Sequence, residues 1–370
     1  MEIITVQTKA DLKEFIRLPW KIYKNDQFWV PPLISNMEFV LDQNKNPFWE
    51  HAKQKLFLAK NKGETVGRIA GIIDESYLKL HREKVGHFGF FEVFNDYETA
   101  KVLLEQVKEW LKENGMQYMR GPFNPSQNEE WGLLVKGFDS SPALMTTYNP
   151  PYYTEMLEKY GLQKSLDLYA YSSKTHPRLP KIFQTSLEFA KRKFPKAVVR
   201  KINLKKIERE KEILKNIYNS TFEKSWGFVP MTKKEVNALI DRMRLLIRPE
   251  LILFLEIKGE PIGILVASPD YNEALKKING RLFPFGWLKF LYNLRKVKTM
   301  RLAIIGIIEE YRMKGLEALL IEECNKNAYK LGFKKMEFSW ILENNINSRK
   351  AAEYYGAKLY KTYRIYEMKI

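Results

Sequence analysis

The residues best suited to chemistry in this 370-residue chain form one turn, in which Arg312, Met313, Lys314, Gly315 and Leu316 follow an apolar strand and open a helix. A turn of this kind presents several backbone N–H groups and the positive end of the helix dipole, and both attract anions. Gly315 has no Cβ, so its backbone can approach a phosphate closely. The turn therefore predicts a binding site for a diphosphate.

This turn resembles the pyrophosphate loop of the GNAT acyltransferases, whose pattern is Arg/Gln-x-x-Gly-x-Gly/Ala. Glu317 departs from that pattern, because a carboxylate replaces a small residue and would repel a pyrophosphate unless it points away. A second GNAT signature is matched, with slightly shortened spacing, by Asn347, Ala351, Tyr354 and Gly356. The resemblance implies acyl-CoA or acetyl-CoA as co-substrate, with no permanently bound cofactor. The positions it assigns to coenzyme A are Ile307, Arg312, Met313, Lys314, Gly315, Leu316, Glu317, Ala318 and Asn347.

Acyl transfer from a thioester to an amine requires a base for the amine proton, a donor for the tetrahedral oxyanion, and a proton for the departing thiolate. A bulged or splayed strand before the loop can supply the oxyanion donor through its backbone N–H groups. By the resemblance Tyr354 is the general acid, and Tyr355 is its competitor. Packing of an ordinary amphipathic helix is the alternative interpretation of Tyr354.

The base is predicted in GPFNPSQNEEWGLLVKGF, residues 121–138, where polar residues stand among aromatic ones. Buried polar groups are unfavourable unless they are paired, so this mixture is unusual for a plain loop. We expect Glu129 or Glu130 to be the base, and Asn124 and Asn128 to line the acceptor site. A surface turn that satisfies its own backbone fits the same pattern. Other carboxylates near the later strands are alternative bases: Glu309, Glu310, Glu337 and Glu343.

The composition excludes several classes of protein. The chain has no run of about 18 or more uncharged apolar residues, so no transmembrane helix is expected. The first residues do not form a secretory signal, and the single Cys324 suits a reducing compartment, so a cytoplasmic location is predicted. Cys324 shares a helical stripe with Leu316, Leu320 and Ala328, which predicts a buried thiol rather than a nucleophile. The four histidines show no metal-ligand spacing, so no metal is expected.

The net charge of +18 is concentrated in two segments. Residues 1–177 contain 22 Lys/Arg and 23 Asp/Glu, whereas residues 178–224 contain 14 and 5, and residues 274–301 contain 8 and 0. A concentrated positive field attracts anions such as coenzyme A, acidic lipid headgroups or RNA. A solvated basic face that only maintains solubility fits the same counts.

The order of predicted elements repeats once along the chain, which indicates an α/β (α+β) fold with two tandem domains. The resemblance implies that both domains are GNAT-like. Each domain is predicted to be a mixed, mostly antiparallel twisted sheet flanked by helices. Breakers near SSKTHPRLP place the boundary so that residues 1–175 form the first domain and 176–370 the second. The first domain has Asp96 and Glu98 where the second has its loop, so we expect it not to bind acyl-CoA.

The segment RLFPFGWLKFLYNLRKVK, residues 281–298, is basic and amphipathic and contains Trp287 on its apolar face. Such a segment suits the surface of an anionic membrane, although a helix that covers the sheet has the same pattern. We assign Trp287 to substrate binding and place the protein at the inner face of the membrane as a peripheral protein.

Several long strings, among them RLPWKIYKNDQFWVPPL, NPFWEH and LFPFGWLK, resemble the bacterial ceramide synthase-like group of tandem acyltransferases. The resemblance implies acyl-CoA-dependent N-acylation of an amine, with a long-chain sphingoid-type amine as the ceramide-forming acceptor. Two alternatives stay open. One is a tandem-GNAT aminoacyl transferase that uses charged tRNA; the basic segments favour this function, and the diphosphate loop argues against it. The other is a non-catalytic protein that binds lipid or a partner protein. Acyl length, acceptor identity and oligomeric state are not predicted.

Overall fold

The predicted α/β (α+β) fold class is confirmed in a computed structural model, which describes residues 1–370. The strands are β1 (Glu2–Thr5), β2 (Ala52–Asn61), β3 (Glu64–Asp74), β4 (Val85–Val93), β5 (Tyr118–Gly121), β6 (Phe123–Asn124), β7 (Glu130–Trp131), β8 (Leu133–Lys136), β9 (Gln163–Lys174), β10 (Ala197–Lys201), β11 (Ile252–Ile257), β12 (Glu260–Pro269), β13 (Thr299–Ile307), β14 (Lys335–Leu342) and β15 (Lys358–Lys369). The helices are α1 (Lys9–Ile22), α2 (Ile34–Leu41), α3 (Glu75–His81), α4 (Tyr97–Glu113), α5 (Tyr152–Tyr160), α6 (Lys181–Lys193), α7 (Ile207–Phe222), α8 (Lys233–Met243), α9 (Asn272–Leu275), α10 (Gly286–Leu294), α11 (Glu317–Lys330) and α12 (Ile346–Tyr354).

The residues group into two compact units that are not continuous in sequence. Unit 1 comprises Met1–Leu168, Asn272–Leu294 and Lys361–Ile370, and unit 2 comprises Tyr169–Tyr271 and Arg295–Tyr360. The domain boundary after residue 175 stays a prediction. It follows from the repeat in the sequence, whereas the two units group residues by their contacts and not by their order along the chain.

Unit 1 is built on strands in the order β1-β2-β3-β4-β5-β15, in which β4 and β5 are parallel and the other neighbours antiparallel. Successive side chains of a strand point to opposite faces. Phe57 therefore packs with α4 residues such as Leu103 on one face. Leu58 packs with Phe15 of α1 on the other. The sheet is thus covered on both faces.

Unit 2 repeats this plan with strands in the order β9-β14-β13-β12-β11-β10, in which β13 and β14 are parallel. Helix α7 buries Ile217 against Phe254 and Ile264 of the sheet. Helix α11 packs on β11, β12 and β13 and contains Cys324, which is buried. Burial raises the pKa of the Cys324 thiol to about 12, so the prediction of a core thiol is confirmed.

The end of the chain completes unit 1 rather than the unit that precedes it in sequence. Strand β15 pairs antiparallel with β5 from Tyr366↔Gly121 to Lys369↔Tyr118. Lys361, fully buried at the start of this segment, donates its ammonium group to the carbonyl oxygens of Gly137 and Ser140. A buried ammonium group needs such partners, so these bonds fix the segment in unit 1. None of the helices is long and apolar enough to cross a membrane.

Candidate active site

The paired part of β13 and β14 ends halfway along both strands, and this opening is the candidate active site. Their parallel register runs from Thr299↔Lys335 to Leu302↔Phe338, although β13 continues to Ile307 and β14 to Leu342. Across β12 the register also shifts here, so that Ala303 is an extra residue in β13. Ala303 is exposed in the middle of the strand. Beyond Leu302↔Phe338 the two strands are no longer paired with each other, and we call the opening between them the β13–β14 cleft.

A buried polar cluster lies at the closed end of this cleft. The Arg301 Nε donates to Ser339 Oγ over 3.0 Å and lies 3.8 Å from Glu337 Oε2. Ser339 Oγ in turn donates to Glu337 Oε2 over 2.9 Å, and the Tyr360 hydroxyl lies 3.3 Å from the other carboxylate oxygen. Burial raises the pKa of Glu337, and the Arg301 charge opposes the shift. The cleft thus ends at a carboxyl group that takes up a proton more readily than usual.

The predicted diphosphate loop follows β13 directly. Two of its residues have positive φ angles, Met313 at 57° and Gly315 at 73°. A Cβ on Gly315 would lie 3.3 Å from the carbonyl oxygen of Ser186 in α6, so both the backbone angle and the close approach of this helix favour glycine here. Leu316 precedes α11 without any side-chain cap. The side chain of Leu316 therefore accepts no hydrogen bond from the backbone N–H groups in the first turn of α11.

The cationic side chains of the loop bind backbone carbonyl groups. Arg312 donates from Nε to the carbonyl of Ile307 over 3.0 Å and from Nη2 to that of Thr221 over 2.6 Å. Lys314 donates to the carbonyl of Glu310 over 2.6 Å. These bonds hold the loop in shape, so its capacity to bind an anion rests on its backbone N–H groups and the helix dipole rather than on the Arg312 guanidinium.

Glu317 is the one anionic group of the loop. It is the first residue of α11, it is half-buried, and its carboxylate accepts a hydrogen bond from its own backbone N–H. Burial raises the pKa of Glu317, while this hydrogen bond and the Arg312 charge oppose the shift. The carboxylate therefore competes for the helix N-terminus with any phosphate that binds there.

Helix α12 brings the second predicted signature to the loop. Asn347, near its start, lies 3.7 Å from the sulfur of Met313. Tyr354, its last residue, is 49% exposed. The hydroxyl of the competing Tyr355 is buried and donates to Asn325 Oδ1 over 2.6 Å. Tyr355 is thus committed to the core, and Tyr354 keeps its side chain accessible.

In unit 1 the corresponding opening is filled. The parallel register of β4 and β5 ends at His87↔Arg120. Beyond it, the side chain of Asn124 accepts a hydrogen bond of 2.6 Å from the backbone N–H of Phe90, whose φ is positive at 49°. A Cβ on Gly89 would lie 1.7 Å from the Phe123 carbonyl oxygen, so no space is left between the strands. Asn124, predicted to contact the acceptor, fills this opening.

Acidic residues cap the helix where unit 1 has no diphosphate loop. Asp96 accepts hydrogen bonds from the backbone N–H of Glu98 and from the Thr99 hydroxyl. The positive end of α4 is therefore already bound to an internal anion. That the first half of the chain does not bind acyl-CoA stays a prediction.

The remaining predicted residues lie in unit 1 and stay predictions as substrate or catalytic groups. Glu129 and Glu130 are half-buried next to the β6–β7 hairpin, where Glu130 pairs with Asn124. Asn128 donates its backbone N–H to Ser126 Oγ in the intervening turn. Trp287 is partly exposed on α10. The chain contains no cluster of histidine, cysteine and carboxylate groups that could hold a metal ion.

Two parts of this site were not predicted from the sequence: the pairing of Arg301 with Ser339 and the approach of Ser186 to the loop. A bulged or splayed strand before the loop was expected, but its position at Ala303 was not. Charged residues inside apolar strands, as Arg301 and Glu337 are, could have indicated a buried ion pair. Nothing local to Ala303 or Ser186 indicates what lies opposite them, because both contacts join residues distant in sequence.

The chain is similar to known proteins in sequence and in fold. No family profile matches the chain. A bacterial ceramide synthase from Caulobacter vibrioides (strain NA1000 / CB15N) is 36% identical over 375 residues, covering 99% of this chain and 97% of that protein. Protein YghO of Escherichia coli (strain K12) is 35% identical over 373 residues, covering 99% of this chain and 95% of that protein.

Solved structures share the fold at low identity. A tandem GNAT protein from the clavulanic acid biosynthesis pathway superposes with a TM-score of 0.59 and 9% identity, covering 100% of this chain and 98% of that one. A GCN5-related N-acetyltransferase from Sphaerobacter thermophilus superposes with a TM-score of 0.53 and 13% identity, covering 99% and 95%. The tandem GNAT architecture is therefore confirmed.

Proposed function

This chain belongs to the tandem GNAT family that contains the bacterial ceramide synthase, and we propose that it is an acyl-CoA-dependent N-acyltransferase whose reaction takes place in the β13–β14 cleft. The observation that carries the proposal is the end of pairing at Leu302↔Phe338 beside an exposed Ala303. A thioester has to reach backbone N–H groups from the side, and an opening between two parallel strands provides that access.

The donor would lie along the cleft with its diphosphate at the turn of residues 312–318. Three features support this placement: the positive φ angles at Met313 and Gly315, the absence of a side-chain cap at Leu316, and the contact of Asn347 with Met313. The thioester end then points along β13 toward the closed end of the cleft. Asn347 is positioned for the pantetheine part of the donor.

The reaction is a direct transfer in a ternary complex. The amine nitrogen attacks the thioester carbonyl carbon, and the oxyanion that forms is stabilised by backbone N–H groups at the bulge of β13. When the C–S bond breaks, the thiolate takes a proton from the Tyr354 hydroxyl, and the new amide bond remains. Because Cys324 is buried and its pKa is about 12, an acyl-cysteine intermediate is not part of this scheme.

Two sites are candidates for the base that takes the amine proton. Glu337 lies at the closed end of the cleft, and burial raises the pKa of its carboxyl group, which makes it a better proton acceptor than an exposed glutamate. Glu129 and Glu130 are the candidates predicted from sequence. Each is tested by its glutamine variant, because glutamine keeps the size of glutamate but cannot accept the proton.

The acceptor is proposed to be a long-chain, sphingoid-type amine. The support is the relationship to a protein named bacterial ceramide synthase, which spans nearly the whole of both chains. An amine of this kind is dissolved in the bilayer, so the enzyme would act as a peripheral protein at the inner face of the cytoplasmic membrane.

The cleft is tested by filling it. We expect Ala303→Trp to weaken acyl-CoA binding in isothermal titration at least about tenfold, because a large side chain at this exposed position obstructs the pantetheine arm while leaving the core unchanged. The matched control is Val198→Trp on strand β10, where the replaced side chain is 58% exposed. Equal affinity in both variants would refute the assignment of the cleft.

The reaction is tested by thiol release from acyl-CoA of several chain lengths in the presence of a panel of amines. Release that depends on an amine excludes a non-catalytic protein. If acyl-CoA is neither bound nor consumed, and charged tRNA is bound with a steep dependence on salt, the tRNA-dependent alternative holds instead.

A further inference from the structure

Residues 281–294, which we call the foot, present a cluster of large apolar side chains to solvent. Phe283 and Phe285 are 78% and 74% exposed. The other exposed members are Trp287, Leu288, Leu291 and Tyr292. Monomeric proteins rarely expose so many large apolar side chains within one short segment, and patches of this kind mark interaction surfaces.

The foot is held in place by the rest of unit 1. Just before it, Trp20 Nε1 donates to Asn279 Oδ1 over 2.9 Å, and the Ile34 N–H donates to the Gly280 carbonyl over 3.1 Å. Within α10, Phe290 is buried and faces the protein. The exposed side chains are therefore the outward face of an anchored helix and its preceding loop, and not a loose segment.

The charged residues in the sequence segment that contains the foot are all basic, although one of them, Lys276, donates to the Gln27 carbonyl and has the Asp26 carboxylate nearby. Residues 274–294 contain Lys276, Lys277, Arg281 and Lys289, and no Asp or Glu. Aromatic side chains with basic residues beside them match the boundary of an anionic bilayer, where rings enter the headgroup region and cations meet lipid phosphates. A protein partner would need a surface that is both acidic and strongly apolar. An anionic bilayer has negative charge and apolar chains over an extended plane.

We propose that the foot inserts its apolar face into the surface of an anionic bilayer. This inference rests on the proposed function in one respect: a long-chain amine acceptor is dissolved in that bilayer, so the foot would hold the enzyme beside its substrate. Because no helix of the chain can cross a membrane, the attachment is reversible and depends on lipid charge.

The experiment is co-flotation of the full-length protein with vesicles of equal parts phosphatidylglycerol and phosphatidylcholine, compared with pure phosphatidylcholine vesicles. We expect binding to the anionic vesicles that falls with added salt. The double variant Phe283→Ser/Phe285→Ser should bind at least about tenfold more weakly, because two phenyl rings no longer enter the lipid. The control is Leu245→Ser, which removes a side chain that is 97% exposed in unit 2 and should leave binding unchanged.

Two results would overturn the proposal. One is equal flotation of the double variant and the Leu245→Ser control. The other is light scattering that shows a dimer of the wild type and a monomer of the double variant, together with no vesicle binding, which would make the foot an interface between two copies of the chain.

A separate measurement distinguishes this proposal from the proposed function. Thiol release is followed with a short, water-soluble amine in the absence of lipid, and the double variant should match the wild type there. Vesicle binding without turnover of this amine or of any amine in the panel, long-chain amines included, would leave the foot intact and refute the acyltransferase. Turnover without vesicle binding would refute the insertion of the foot and leave the acyltransferase proposal intact.

Discussion

The carboxylate of Glu317 should weaken coenzyme A binding, and its removal should strengthen it. The group sits at the start of α11, where it accepts a hydrogen bond from its own backbone N–H. A donor diphosphate placed at this helix N-terminus would meet a negative charge that the GNAT pattern does not contain. We therefore expect Glu317→Gln and Glu317→Ala to bind coenzyme A more tightly than the wild type.

The size of the effect follows from the charge and its surroundings. Two unit charges about 5 Å apart repel by about 3 kcal/mol at an effective dielectric constant of about 20. Glu317 is only half-buried, so solvent screening reduces this figure. We expect about 1–2 kcal/mol, which is a gain of about 5–30-fold in affinity.

The pH dependence of coenzyme A binding tests independently whether the Glu317 charge weakens that binding. Because burial raises the pKa of Glu317, the carboxyl group becomes neutral as the pH falls through that raised value. Wild-type affinity for coenzyme A should therefore increase toward low pH relative to that of Glu317→Gln, in which no such group titrates. Taking the ratio of the two affinities removes the titration of the ligand phosphates, which is common to both proteins.

The assay is isothermal titration with coenzyme A, and the matched control is Glu323→Ala. That variant removes the same charge from the same helix, but from its second turn. Equal affinities of wild type and Glu317→Gln at all pH values would refute the reasoning. They would mean that the diphosphate does not approach the start of α11.

Three further predictions concern single side chains. Asn124→Ala should lower the free energy of urea unfolding by about 1–3 kcal/mol, because the buried N–H of Phe90 loses its acceptor, and should leave the Kd for coenzyme A unchanged. Tyr354→Phe should lower kcat about 10- to 100-fold and leave the free energy of unfolding unchanged, because Tyr354 is the proposed general acid. Tyr355→Phe should lower the free energy of unfolding by about 1 kcal/mol with little effect on kcat, because its buried hydroxyl binds Asn325. The reverse pattern would exchange the roles of the two tyrosines. Glu337→Gln should abolish the fall in kcat/KM toward low pH, since a base with a raised pKa loses its free electron pair as the pH falls through that value, and an unchanged profile would point to another base.

The elements themselves were predictable because they depend on local patterns. Apolar periodicity and breakers act over a few residues, so one sequence is enough to locate them. For the same reason the loop at Arg312 and the helix of Asn347 were found and placed at the ends of their strands.

The partners of these elements were not predictable from local patterns. The last strand was expected to complete the second half of the chain, but residues 361–370 pair with β5 and belong to unit 1. Arg312 was expected to bind the diphosphate, and its guanidinium is bonded to the carbonyls of Ile307 and Thr221. Asn124 stays a predicted acceptor-site residue, and its amide oxygen accepts a hydrogen bond from the backbone N–H of Phe90. Each outcome depends on a residue distant in sequence.

By itself, the sequence determined the order of strands and helices, the tandem plan, and the turn that could hold a diphosphate. Only the tertiary structure decided which of the two strand openings is accessible, since that depends on whether a side chain from another segment enters it. In unit 1 Asn124 does so, and in unit 2 Ala303 is left exposed. The physical reason is that a helix or strand is determined by residues that are neighbours along the chain. Whether a cleft stays open depends instead on whether residues from distant parts of the chain pack into it.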